Sequence, residues 1–207
     1  MQHGNTVSRT VWLLVPPPDV RWYIADHIKV SNVDSSVKQR RVVSVVVHAC
    51  RSEALAQGHV FPVAHFRLFL VLDPPPGGEQ KESVELNNFG HMSLVTTTEI
   101  AYHPYKFSRT TTFLTVALVQ PLVSPTVGEI LDYLFNEKKR HLYKLDSATG
   151  SGCRYWCQTV LSDMAHKGWL NHDAHQQTEQ VALFVQQNER GVLISEVGNP
   201  TGGSFYG

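Results

Sequence analysis

The segment Gly150-Ser151-Gly152-Cys153-Arg154-Tyr155-Trp156-Cys157 sets two glycines, which permit a tight turn, just ahead of a cysteine. Cys153, Trp156, Cys157, Val160, Leu161 and Met164 then recur at offsets of 3, 4, 7, 8 and 11, which predicts an amphipathic helix with Cys153 in its first turn. Unpaired amides and the helix dipole favour a thiolate there, and a lowered thiol pKa is what attack on a carbonyl needs. Cys153 is therefore the candidate nucleophile, with the first-turn amides as donors to an oxyanion. Cys157, one turn deeper on the same stripe, reads as a small core residue.

A thiolate nucleophile works with a base. His65 heads the run His65-Phe66-Arg67-Leu68-Phe69-Leu70-Val71-Leu72, in which Phe66, Leu68, Leu70 and Leu72 share one strand face. His65 and Arg67 fall on the other face. In the next run, Ser83, Glu85 and Asn87 share a face opposite Val84 and Leu86, so Glu85 or Asn87 can orient the imidazole. Alternation does not choose between them. Arg67 can bind an anionic group of a substrate, and Trp156 can stack on one, although Trp156 also lies on the core stripe. Each residue has a plainer role available: Cys153 as inert packing, His65 as a strand-end histidine bonded to backbone, and Arg67 as part of a solvated face.

A histidine on an early strand, a polar residue on the next and a cysteine opening a later helix resemble the circularly permuted papain-like enzymes, lecithin retinol acyltransferase and its relatives. The likeness spans Val42 to Trp169, and the carry-over reaches His65 and Cys153. It implies a papain-like permuted α+β fold with thiol hydrolase or acyltransferase chemistry. Gly152 to Leu161, continuing to Gly168-Trp169, together with His65-Phe66-Arg67-Leu68-Phe69-Leu70, more closely resembles a fungal domain of unknown function, family 7770. The other function class is non-catalytic: a module binding a small molecule or protein, or a non-covalent cyclase or accessory protein of fungal specialised metabolism.

The elements that must position these residues come in two blocks. Val42 to Val47, Ala64 to Leu72, Ser83 to Asn87, Met92 to Tyr102 and Thr111 to Val119 read as strands, broken by Pro74-Pro75-Pro76-Gly77-Gly78, His103-Pro104 and Gln120-Pro121. Helices follow. Thr126-Val127-Gly128-Glu129 has capping-box spacing, and Gly168 is placed to end the Cys153 helix. Strands first and helices afterwards predict an α+β single domain over 1–207: a mostly antiparallel sheet of about five strands, then packed helices. Its core runs over 42–170, an irregular segment occupies 1–40, and 198–207 reads as a flexible tail. Asn171 to Gln180 is polar, Val181 to Val185 is a short apolar run, and Gly191 to Glu196 fits one more strand.

Composition narrows the partners. Eighteen basic residues balance eighteen acidic ones, so no net field draws nucleic acid or an anionic membrane. Charged residues are 17% of the chain against roughly 25% in an average globular protein. The apolar run Val11 to Val15 is too short for a membrane span and lacks the flanks of a secretory signal. Three cysteines without such a signal predict reduced thiols and a cytoplasmic setting. No phosphate loop or dinucleotide fingerprint occurs, so no cofactor is expected. Cys153 and Cys157 with His166, His172 and His175 are poorly spaced for zinc, so no metal is expected either. A small-molecule or acyl substrate is the expected partner, and the oligomeric state is left open.

Overall fold

The computed structural model describes residues 27–56, 59–75, 77–78, 81–90, 95–146, 152–194 and 202–206, without the side chains of 54–56 and 59–61. Most of the expected irregular segment 1–40, along with Gly150, Ser151 and part of the expected tail, lies outside these residues.

The chain begins with strand β1 (Ile28–Ser31) and a short helix α1 (Ser35–Gln39), which Asp34 caps by accepting from the Val37 amide. Five strands follow: β2 (Val42–Ala56), β3 (His59–Leu72), β4 (Ser83–Gly90), β5 (Thr96–His103) and β6 (Phe113–Val119). Helix α2 (Val127–Leu131) continues as a wider turn over Asp132–Glu137 and leads to β7 (Tyr143–Lys144). Then come α3 (Cys153–His166), α4 (Gln177–Asn188) and β8 (Ser204–Phe205).

The fold is α+β, with strand order β1-β5-β4-β3-β2-β6 in the main sheet. The expectation of about five antiparallel strands needs one addition: β1 joins as a sixth, and it pairs parallel to β5. Ile28–Ser31 is too short for its alternation to stand out from the surrounding polar sequence. Helix α4 was also not anticipated. It takes in the polar Gln177–Gln180 together with Val181–Val185, burying Thr178, Val181, Ala182 and Val185 against the sheet side of the domain. Gly191 to Glu196, expected as a strand, contributes a single bridge from Leu193 to Val63 among the described residues. The α2 capping box forms as read, with Glu129 and Thr126 each satisfying the other's amide. So does the α3 terminus, where Gly168 takes φ +81° and the Trp169 amide reaches back to the Met164 carbonyl at 3.0 Å.

Period-two alternation divides the sheet into unlike faces. Val45, Val47, Phe66, Leu68, Leu70, Val84 and Leu86 meet the helices in the main core, which also buries Trp156, Val160 and Leu161 of α3. Val46, Phe69 and Val71 point the other way, against Phe107. Burying a large side chain of this kind stabilises by about 1.5–3 kcal/mol, so the helix face anchors α3 on the sheet.

One irregularity in the sheet positions the site. β3 and β4 pair from Val71↔Ser83 to Leu68↔Leu86 and no further, although both strands continue. Beyond that rung β3 stays with β2 as far as Ala56↔His59, and β4 stays with β5 as far as Gly90↔Thr96. The sheet opens between them, and the amino end of α3 lies at the opening.

Candidate active site

Cys153 begins α3 behind Gly152, whose φ of +144° is a conformation that side-chain-bearing residues rarely adopt. A Cβ at Gly152 would also stand 2.7 Å from the Tyr143 hydroxyl, so the turn into the helix requires glycine twice over. Where β3 and β4 part, the Phe66 amide loses its sheet partner and instead donates to Cys153 Sγ at 3.4 Å. His65, one residue earlier, lies close enough to Cys153 for its charge to act on the thiol. Its Nε2–H donates to Asn87 Oδ1 at 2.7 Å, so Nδ1 is the ring nitrogen that this bond does not use. Cys153, His65 and Asn87 are each partly exposed as whole residues.

The electrostatics follow from this contact. Burial pushes the Cys153 thiol up, but the His65 charge, the His65 hydrogen bond and the Phe66 and Arg154 amides outweigh it, and the thiol falls below its ordinary value. Burial pushes the His65 imidazole down, and its contact with Cys153 and bond to Asn87 reverse that, leaving it raised. Both shifts favour a thiolate–imidazolium pair. The other two thiols behave oppositely: burial raises Cys50 and raises Cys157 well above the ordinary range.

Of the two orienting residues left open by alternation, the structure brings Asn87 to His65 and takes Glu85 elsewhere. Glu85 accepts from Arg67 at 2.8 Å and from His103 at 2.8 Å. Its carboxylate is fully engaged, and it does not orient His65. Arg67 is correspondingly committed, since its Nε also donates to His48 Nδ1 at 3.2 Å. Trp156 is fully buried and donates to the Arg140 carbonyl at 2.7 Å, so it is a core residue and not a substrate platform. Tyr143 was missed. It is fully buried, its hydroxyl donates to the Gly152 carbonyl at 3.0 Å, and nothing in Leu142-Tyr143-Lys144 marks it in the sequence. Among the described residues no group of three or more His, Cys, Asp or Glu is arranged to hold a metal, and no helix is long and apolar enough to cross a membrane.

Residues 43–206 match a family described as a domain of unknown function, DUF7770. The chain belongs to that family. The match takes in β3, β4 and α3, the elements that supply His65, Asn87 and Cys153. No curated protein and no solved structure matches the chain.

Proposed function

We propose that this DUF7770 domain is a cysteine-dependent hydrolase or acyltransferase with a permuted papain-like arrangement of its reacting groups. The observation that carries this reading is the line Asn87–His65–Cys153, drawn from three separate elements, with the thiol lowered and the imidazole raised. The Cys153 thiolate attacks the carbonyl carbon of an ester, thioester or amide, forming a C–S bond while the carbonyl electrons move to oxygen. Amides at the α3 start stabilise that oxyanion. The imidazolium of His65 gives its proton to the leaving group as the old bond breaks, producing a thioester on Cys153. Neutral His65 then takes a proton from water or from an acceptor alcohol, amine or thiol as it attacks the thioester, and the thiol is regenerated. Asn87 holds the imidazole in the tautomer that leaves Nδ1 free. This chemistry requires Cys153 reduced and suits a reducing compartment.

The test is acyl capture. Incubation with a panel of p-nitrophenyl esters and acyl thioesters, followed by intact-mass and peptide mass spectrometry, is expected to show an acyl adduct on Cys153 that hydroxylamine removes. Cys153→Ala should carry none while keeping its fold. His65→Ala should label with iodoacetamide at pH 7 roughly 30-fold more slowly, because an ordinary thiol of pKa about 8.5 is only about 3% thiolate there. Labelling of Cys153 at the slow rate of a plain thiol, unaltered in His65→Ala, would overturn the reading.

A further inference from the structure

We propose that Tyr143 is a positioning residue for Cys153 and that the C-terminal strand β8 holds it in place, so the end of the chain helps set the reactivity of the nucleophile. The inference rests on the cysteine-nucleophile reading above. Its starting observation is a clasp built on one phenol. The Tyr143 hydroxyl donates to the Gly152 carbonyl at 3.0 Å and accepts from the Gly203 amide at 2.9 Å. Both flanking positions are glycines with no room for a side chain. A Cβ at Gly152 would lie 2.7 Å from the Tyr143 hydroxyl, and one at Gly203 would lie 2.7 Å from that hydroxyl and 1.9 Å from the Lys144 carbonyl oxygen. The backbone before the nucleophile and the backbone of the C-terminal segment thus close on the same atom from two sides.

The bond acts on Cys153 directly. The Gly152 carbonyl belongs to the peptide unit that carries the Cys153 amide, and it also accepts the helical bond from the Trp156 amide at 2.9 Å. Fixing that plane fixes the direction in which Cys153 leaves the turn. Burial raises the Tyr143 phenol, which stays protonated and so remains a donor to Gly152.

The other end of Tyr143 is tied to the strand bearing Asn87. Asn88, next in sequence, donates to Thr96 Oγ1 at 2.9 Å, and Thr96 donates to the Tyr143 carbonyl at 3.0 Å. A buried chain of bonds therefore runs from the residue after Asn87 to the residue before Cys153. It links β4 and β5 to the turn that precedes α3. β8 secures it: Phe205 pairs with Tyr143 in register, its ring lies tilted against that of Tyr143 with centroids 4.7 Å apart, and Arg140 lies over Phe205 at 4.6 Å.

The experiment is the rate of iodoacetamide labelling at Cys153 from pH 5 to 10, read by mass spectrometry on the full chain. Wild type, Tyr143→Phe, Gly203→Ala and His65→Ala are compared, with folding checked by circular dichroism. Tyr143→Phe removes only the hydroxyl, and Gly203→Ala keeps it but displaces β8. Both are expected to shift the profile towards that of an ordinary thiol and to slow labelling at pH 7 roughly three- to tenfold, the scale of one lost hydrogen bond. A purely structural tyrosine would lower thermal stability and leave the profile where it is. A folded Tyr143→Phe whose profile superimposes on wild type overturns the inference. Should Tyr143→Phe not fold, an unchanged profile in Gly203→Ala does the same. The control separates the two ideas: if His65→Ala moves the profile and Tyr143→Phe does not, the positioning role alone falls. If His65→Ala leaves the profile unmoved, the nucleophile reading falls and takes the inference with it.

Discussion

Two polar pairs sit two residues apart on the same strand faces of β3 and β4, and they meet opposite fates. Arg67 and Glu85 close on each other at 2.8 Å, and His103 and His48 complete the group from β5 and β2. That group is finished within the sheet, and the segment after β5 seals it through the Ser108 carbonyl, which accepts from His48 Nε2 at 2.9 Å. His65 and Asn87 also bond, at 2.7 Å, but one nitrogen of the imidazole is left over, and its partner arrives from a helix 88 residues along the chain. The difference lies in where the sheet is zipped. Arg67 and Glu85 flank the last paired rung, Leu68↔Leu86, whereas His65 and Asn87 lie beyond it. A charged pair that closes across the last rung neutralises itself and supports the fold. The His65–Asn87 pair at the open fork leaves one imidazole nitrogen that no strand satisfies, and Cys153 comes to it from outside the sheet.

This contrast predicts different consequences for mutating the two pairs. The largest effect belongs to the closed pair: Arg67→Met strands the buried Glu85 carboxylate and should lower stability by about 3–5 kcal/mol in chemical denaturation. The Cys153 labelling profile of the remaining folded protein should hold close to wild type. A destabilisation below about 1 kcal/mol, or a labelling profile that moves as far as that of His65→Ala, would erase the distinction between the pairs.

Acid should act next most strongly, and on the same group. His48 is fully buried, and its Nδ1 accepts from Arg67 while Nε2 donates to Ser108, so a second proton has no place. Burial first, then the Arg67 charge, depress it from 6.5 to about 4. Between those values the unfolded chain binds a proton that the folded chain refuses. The neutral imidazole's stabilisation is therefore fully present above about pH 6.5 and is lost as pH falls towards about 4, on the order of 3 kcal/mol over the window. Thermal melts from pH 7 to 4 should show the decline. His48→Gln should flatten part of it, leaving the part due to His141, which burial also holds at about 4. An unflattened slope in His48→Gln would mean that this histidine titrates freely.

The smallest effect is at the open fork. Asn87→Ala should leave stability within about 1 kcal/mol of wild type, since the residue is partly exposed, and should slow Cys153 labelling at pH 7 by roughly tenfold or less. Glu85→Gln serves as the contrast, with a stability loss and little change in labelling. If the two variants exchange these outcomes, Glu85 is the orienting residue after all.

Much of this architecture was legible in the chain, because local rules govern it. The 3.6-residue stripe from Cys153 to Met164 and the glycine at 168 bounded α3, and the Thr126–Glu129 pair announced α2. Alternation in His65–Leu72 grouped Phe66, Leu68, Leu70 and Leu72 on one face, and that face is the one buried in the main core. Cys153 and His65 were legible as residue types in chemically suggestive places. β1 was not, being four residues of weak pattern that a parallel neighbour stabilises, and neither was α4, whose polar first turn hides the apolar face behind it.

The sequence by itself determined which residues could react and which faces they share, because spacing along a helix or strand is a property of the backbone. Which of Glu85 and Asn87 reaches His65 was beyond it: both lie on one face of one strand, and alternation treats them alike. Only the tertiary structure decided, by ending the β3–β4 ladder at Leu68↔Leu86. Glu85, inside the ladder, is held by Arg67 and His103, while the break beyond it freed the Phe66 amide for sulfur and opened the space in which a distant helix start meets His65.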